Sequence, residues 1–117
     1  MTLAATPRPS TFAEFWPYYV AQHLHPLNRA LHVSGTTLAL VCFGLGVAFS
    51  PWYALGALPA GYGPAWVGHF FVERNRPATF KHPLWSLLGD FHMFGLVLTG
   101  RMGAHVTEAR RLFPAGA

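Results

Sequence analysis

The sequence predicts an all-α fold: an integral membrane helical bundle in which an interfacial N-terminal helix is followed by three or four further helices. Three observations lead there. Hydrophobic residues make up 52% of the 117-residue chain and charged ones only 10%, a poor composition for a water-facing surface. From Ala30 to Val72 there is no Asp, Glu, Lys or Arg, which leaves room for two spans of about 20 residues each. Pro26, Pro51 and Pro83 stand at or near the heads of apolar runs, where a missing backbone N–H costs a helix nothing.

Taken in order, residues 1–9 carry two prolines and read as a loose tail ahead of a single domain over 10–113. The start lacks the basic, apolar and small-residue pattern of a signal peptide, so no cleavage is expected. Thr11 and Glu14 have capping-box spacing and open a helix through "FAEFWPYYVAQHL", with Pro17 as a kink or as its true first turn. Its Phe, Trp and Tyr suit a membrane interface. Pro26 disfavours helical geometry at His25 and begins a new helix reaching about Phe49, the first span. After the Ser50-Pro51 turn, "PWYALGALPAGYGPAWVGHFFVE" returns across the bilayer, bent by Pro59 and Pro64 and thinned for close packing by its glycines. The polar link "RNRPATFKH" follows, and Pro83 opens "PLWSLLGDFHMFGLVLTG", which either spans or dips and returns.

The net charge of +4 comes from scattered basic residues with no run or nucleic-acid module, so lipid headgroups rather than nucleic acid are the expected partner. Cys42 is the only cysteine and sits in an apolar run, which excludes an intrachain disulfide. The hairpin brings Arg29 to the same side as Arg74, Arg76 and Lys81, and the positive-inside rule makes that side cytoplasmic. Arg101, Arg110 and Arg111 oppose this if the last helix crosses fully.

That same side collects the titratable groups. His32 lies about 10 Å into the helix that begins at Pro26, His69 lies where the second span returns, and His23 and His25 flank the junction. His69 and Glu73 are spaced i,i+4, which offers an imidazole and a carboxylate on one helix face. Asp90 falls at a similar depth, and a carboxylate in an apolar setting needs a partner. Imidazoles with one or two carboxylates and no thiolate set suit non-haem iron, zinc or manganese. Each group also has a plainer reading. A lone histidine is commonly an interfacial anchor, Arg74 and Arg76 serve as positive-inside anchors, and Asn28 satisfies helix-start amides. The four tryptophans form belt and packing, and His82 and His105 read as surface residues.

"YYVAQHLHPLNRALHVSGTTLAL" and "WVGHFFVERNRPATFKHPLWSLLGDFHMF" together closely resemble the short bacterial members of the Mpo-type 2-hydroxy fatty acid dioxygenase family, over roughly residues 12 to 100. The most specific parts are an H-x4-N-x3-H block, on His23, Asn28 and His32, and a G-H-x3-E-x3-P-A block, on Gly68, His69, Glu73, Pro77 and Ala78. His25 is not matched in the fungal form, and "GDFHM", with Asp90 and His92, resembles the short form alone. The resemblance implies Fe(II)- and O2-dependent removal of one carbon from a 2-hydroxy fatty acid. On this reading His23, His32 and His69 hold the iron, Glu73 or Asp90 completes or supports the set beside Asn28, and Arg76 or Arg74 orients the substrate carboxylate. Two other classes stay open: a haem-binding membrane cytochrome, and a non-catalytic lipid-binding or structural membrane protein.

Overall fold

In a computed structural model that describes residues 9–116, the chain is all helical, with no strand among the described residues. The expected tail thus lies almost wholly outside the described residues. Helix α1 (Phe12–Ala21) is capped by Thr11, whose Oγ1 accepts from Glu14 N at 3.2 Å. The return half of the capping box is displaced by one residue, because the Glu14 carboxylate accepts from Ser10 N (2.9 Å) and Ser10 Oγ (3.1 Å). Pro17 lies inside the helix rather than at its head. One face of α1 is core: Phe15, Tyr19 and Val20 are fully buried among side chains of the later helical segments Pro83–Leu98 and Met102–Leu112.

Helix α2 (Pro26–Ala48) opens on Pro26, and the His25 ring caps it by accepting from Leu27 N at 3.1 Å. At 23 residues it extends about 34 Å, and it is the one described helix long and apolar enough to cross a membrane. The return arm departs from the expected second span. It is broken into α3 (Trp52–Leu55), α4 (Ala57–Val67) and a π-helical turn (Gly68–Glu73). The breaks fall at Gly56 and at the Val67–Gly68 junction, while α4 runs through both Pro59 and Pro64, and no single helix of the arm meets the length of a span.

The expected thin packing is present. A side-chain carbon on Gly35 would stand 2.8 Å from the Gly61 carbonyl oxygen, and one on Gly46 would stand 2.7 Å from Ala54 Cβ. The two arms therefore meet backbone to backbone, antiparallel, and their large side chains point outward. Val47, Phe49 and Trp52 at the hairpin tip are 76–78% exposed. After a 3-10 turn (Ala78–Phe80), α5 (Pro83–Leu98) packs on α1 and α2, and α6 (Met102–Leu112) folds back on α1. The result is an elongated body of 52 × 27 × 27 Å, packed at one end and a two-armed hairpin at the other.

Candidate metal centre

The histidine site forms where these two ends join. His23 comes from the link after α1, His32 from the second turn of α2 and His69 from the π turn. All three are buried, and a ligand nitrogen from each lies within 4.8 Å of the others. The ring centroids are 4.4, 4.5 and 4.9 Å apart, with interplanar angles of 78–86°. Mutually perpendicular rings around one point can present three lone pairs to one ion.

Each ring is also held from behind. His23 Nδ1 lies 2.6 Å from the Tyr19 carbonyl oxygen, which can only accept, so Nδ1 carries the proton and Nε2 keeps its lone pair. His69 Nδ1 meets Asn75 Oδ1 at 2.7 Å, and His32 Nδ1 lies 3.5 Å from Asp90 Oδ1. This is the arrangement that fixes tautomer and orientation in metal-binding histidines. The inward atoms His23 Nε2 and His32 Nε2 are buried with no hydrogen-bond partner among the described residues. Unpartnered buried nitrogens are costly, and a bound cation would satisfy them. Burial, followed by the neighbouring His32 and His69 rings, pushes the His23 pKa well below its ordinary value and keeps the imidazole in its neutral, ligating form.

The carboxylates part company. Asp90 stays with the site, accepting from the fully buried Tyr19 hydroxyl and facing His32. Glu73 does not join the histidine group: its Oε1 accepts from His25 N, which ties the π turn to the head of α2. His25, spent on capping, is likewise outside the group, as is His92, which packs on Trp16. Asn28 does not cap α2. It is fully buried against Gly68, donates to the Gln22 carbonyl at 3.3 Å, and leaves Oδ1 without a partner. A Cβ at residue 68 would fall 1.9 Å from that Oδ1, so glycine is required there.

The expected substrate arginines also stand elsewhere. Arg76 is exposed, with its guanidinium 5.4 Å from the Phe80 ring centroid, and Arg74 is an exposed left-handed residue ending the π turn. A cavity of about 250 Å³ does reach the site, and its wall includes His32, Thr36, Ala39, Leu58, Tyr62 and Asp90. Its lining is mostly apolar, with His32, Asp90, Thr36 and Tyr62 as the residues that carry polar side-chain atoms, and among the described residues no arginine or lysine lines it.

A family model described as 2-hydroxy-palmitic acid dioxygenase Mpo1-like matches residues 9–102. The chain belongs to the Mpo1-like family. Searches of curated proteins and of solved structures each gave no match. The Mpo1-like match spans α1 to α5 and so contains all three histidines and Asp90. Three supporting residues were not singled out from the sequence. They are Tyr19, Asn75 and Gln22, whose carbonyl accepts from both Asn28 and Asn75. The available signal was Tyr19 and His23 at i,i+4, and Asn75 between two arginines in an otherwise basic link.

Proposed function

We propose that this chain is a membrane-embedded, Fe(II)- and O2-dependent dioxygenase that shortens a 2-hydroxy fatty acid by one carbon. The observation that carries the reading is the set of three buried imidazoles around one point beside an apolar cavity, two of them hydrogen-bonded at Nδ1 and the third facing Asp90. Iron held by His23, His32 and His69 would supply a Lewis-acidic, O2-activating centre that a 2-hydroxy acid can chelate through its carboxylate and hydroxyl. The remaining work falls to the protein. Asp90, held by Tyr19, keeps a carboxylate beside His32 in the cavity wall. Ala39, Leu58, Leu87 and Phe91 give the acyl chain a dry wall.

With no cation in that wall, the α-hydroxyl becomes the group that distinguishes substrate from an ordinary fatty acid. The apolar α2 and the exposed tip of the hairpin fit the bilayer, with the Arg29, Arg74 and Arg76 side toward the cytoplasm. Rings 4.4–4.9 Å apart leave no slot for a macrocycle between them, which argues against haem.

The test is metal content by plasma mass spectrometry on protein purified anaerobically in detergent, with His32→Ala and His69→Ala beside it. About one iron per chain, lost in both variants, together with conversion of 2-hydroxypalmitate but not palmitate under O2, is the expected result. A folded chain with no stoichiometric iron after Fe(II) is supplied sinks the proposal in favour of a lipid-binding role, and stoichiometric zinc that supports no turnover sinks the redox chemistry.

A further inference from the structure

The buried end holds an aromatic column whose stacking the proposed chemistry leaves without a role. Tyr19 stacks on His23 with centroids 4.1 Å apart and planes at 23°, and Trp16 stacks on Tyr19 at 5.4 Å and 14°. Neighbouring pairs in the same core are more inclined: 32° for Phe12 with Trp16, and 50° for Phe15 with Tyr19 and for Phe15 with Trp85. His82 and Trp85 also lie near parallel, at 17°, but with centroids 6.1 Å apart, so the column is set apart by its closer spacing and its continuity through three rings.

Its phenol and its indole also place their acidic hydrogens on a base. The Tyr19 hydroxyl donates to Asp90, and Trp16 Nε1 donates to His105 Nδ1 at 2.9 Å. His105 is half-buried and forms the outer end. Phenol and indole are the readily oxidised side chains. Each sheds that proton when it loses an electron, so oxidation is eased where a base already holds the hydrogen bond.

We propose that Tyr19 and Trp16 form an electron relay that carries oxidising equivalents away from the histidine cluster to the surface at His105. The proposal rests on the iron reading above, because O2 reduced at the cluster without substrate is the one-electron oxidant. Tyr19 gives one electron to that oxidant and its O–H proton to Asp90. Trp16 then gives one electron to Tyr19, which takes its proton back from Asp90, and the indole proton passes to His105. A small reductant of the thiol or ascorbate class returns one electron to Trp16, His105 returns the proton, and the reductant's own proton goes to water. The net flow is one electron from the reductant to the cluster, and the ligand His23 is spared oxidation.

The experiment mixes Fe(II)-loaded protein of measured iron content with O2 in the absence of 2-hydroxy acid. It is followed by freeze-quench electron paramagnetic resonance and peptide mass spectrometry, with Trp16→Phe, Tyr19→Phe and His105→Gln alongside. The expected result is an aromatic radical whose hyperfine pattern changes when tryptophan is ring-deuterated. It should be lost in Trp16→Phe and Tyr19→Phe, and oxygen addition on the peptide carrying His23 should rise several-fold in Trp16→Phe. His105→Gln keeps a hydrogen-bond acceptor for Trp16 but cannot take the proton, so its radical yield should fall several-fold where a purely structural contact would leave it unchanged. Iron retained with no aromatic radical, or a yield unaltered in any of the variants, overturns the relay and leaves the dioxygenase reading standing. A chain that retains no iron overturns both.

Discussion

The two ends of this molecule are both rich in large apolar side chains, yet they use them in opposite ways. In the packed end, α1, α5 and α6 bury Phe15, Tyr19 and Met93 completely, each in contact with other side chains. In the hairpin, α2 meets the return arm through Gly35, Gly46 and Gly61, and Phe43, Val47, Phe49 and Trp52 are left outside. Apolar composition alone does not distinguish these cases. The placement of small residues does, because a glycine seam lets backbones touch and leaves the large side chains nowhere to go but outward. The histidine site lies at the junction, where a side-chain-packed body can hold rings rigidly and a hairpin can offer an apolar wall.

The contrast can be broken first where it is largest. Phe15→Ala should cost about 3–5 kcal/mol of stability in detergent, whereas Phe49→Ala at the exposed tip should stay within about 0.5 kcal/mol, both read from unfolding midpoints. Equal losses would mean that the tip is covered. A smaller effect is expected within the seam: Gly35→Ala should cost about 1–3 kcal/mol, since its new carbon meets a carbonyl oxygen at 2.8 Å. Gly44→Ala on the same helix has nothing within 4 Å, and it should stabilise by about 0.5–1 kcal/mol. At the junction, Asn75→Leu removes the brace behind His69 without touching the ion, and iron affinity should fall about 10–100-fold by competitive chelation. A modest local loss is expected at the head of α1, where Thr11→Ala should cost about 1 kcal/mol through the lost contact to Glu14 N. A cost several times larger would show that α1 forms only when its cap is in place.

The parts of this that were legible in the sequence were those written in local chemistry. Pro26 and Thr11 mark their helix starts because a missing N–H and a side-chain acceptor have meaning only at such positions. The glycines of the return arm announced its close packing, and the spacing of His23, His32 and His69 about an antiparallel hairpin announced their convergence. The illegible parts depended on partners distant in sequence. Glu73 stands i,i+4 from His69, a spacing that suits a shared ion, yet the turn carrying both is π-helical and its carboxylate finds His25 N instead. Tyr19 reads as one more interfacial aromatic until α5 brings Asp90 to its hydroxyl. His105, expected at the surface, accepts from Trp16 across 89 residues of chain. Arg74 and Arg76 stand exposed and outside the cavity wall, a placement set by the fold of the link around Asn75 that no spacing in the sequence spells out.

The π turn has a consequence for how this chain can vary in length. Phe71, in the middle of that turn, is 74% exposed, so its side chain can be exchanged freely for another of its kind. Its place in the count is another matter. Deleting it would tighten the wide turn toward an ordinary α-helix and swing every following residue by about 100° around the axis, carrying Asn75 away from His69 and Glu73 away from His25. Residue 71 can be substituted but not omitted: at that position the fold constrains phase rather than identity.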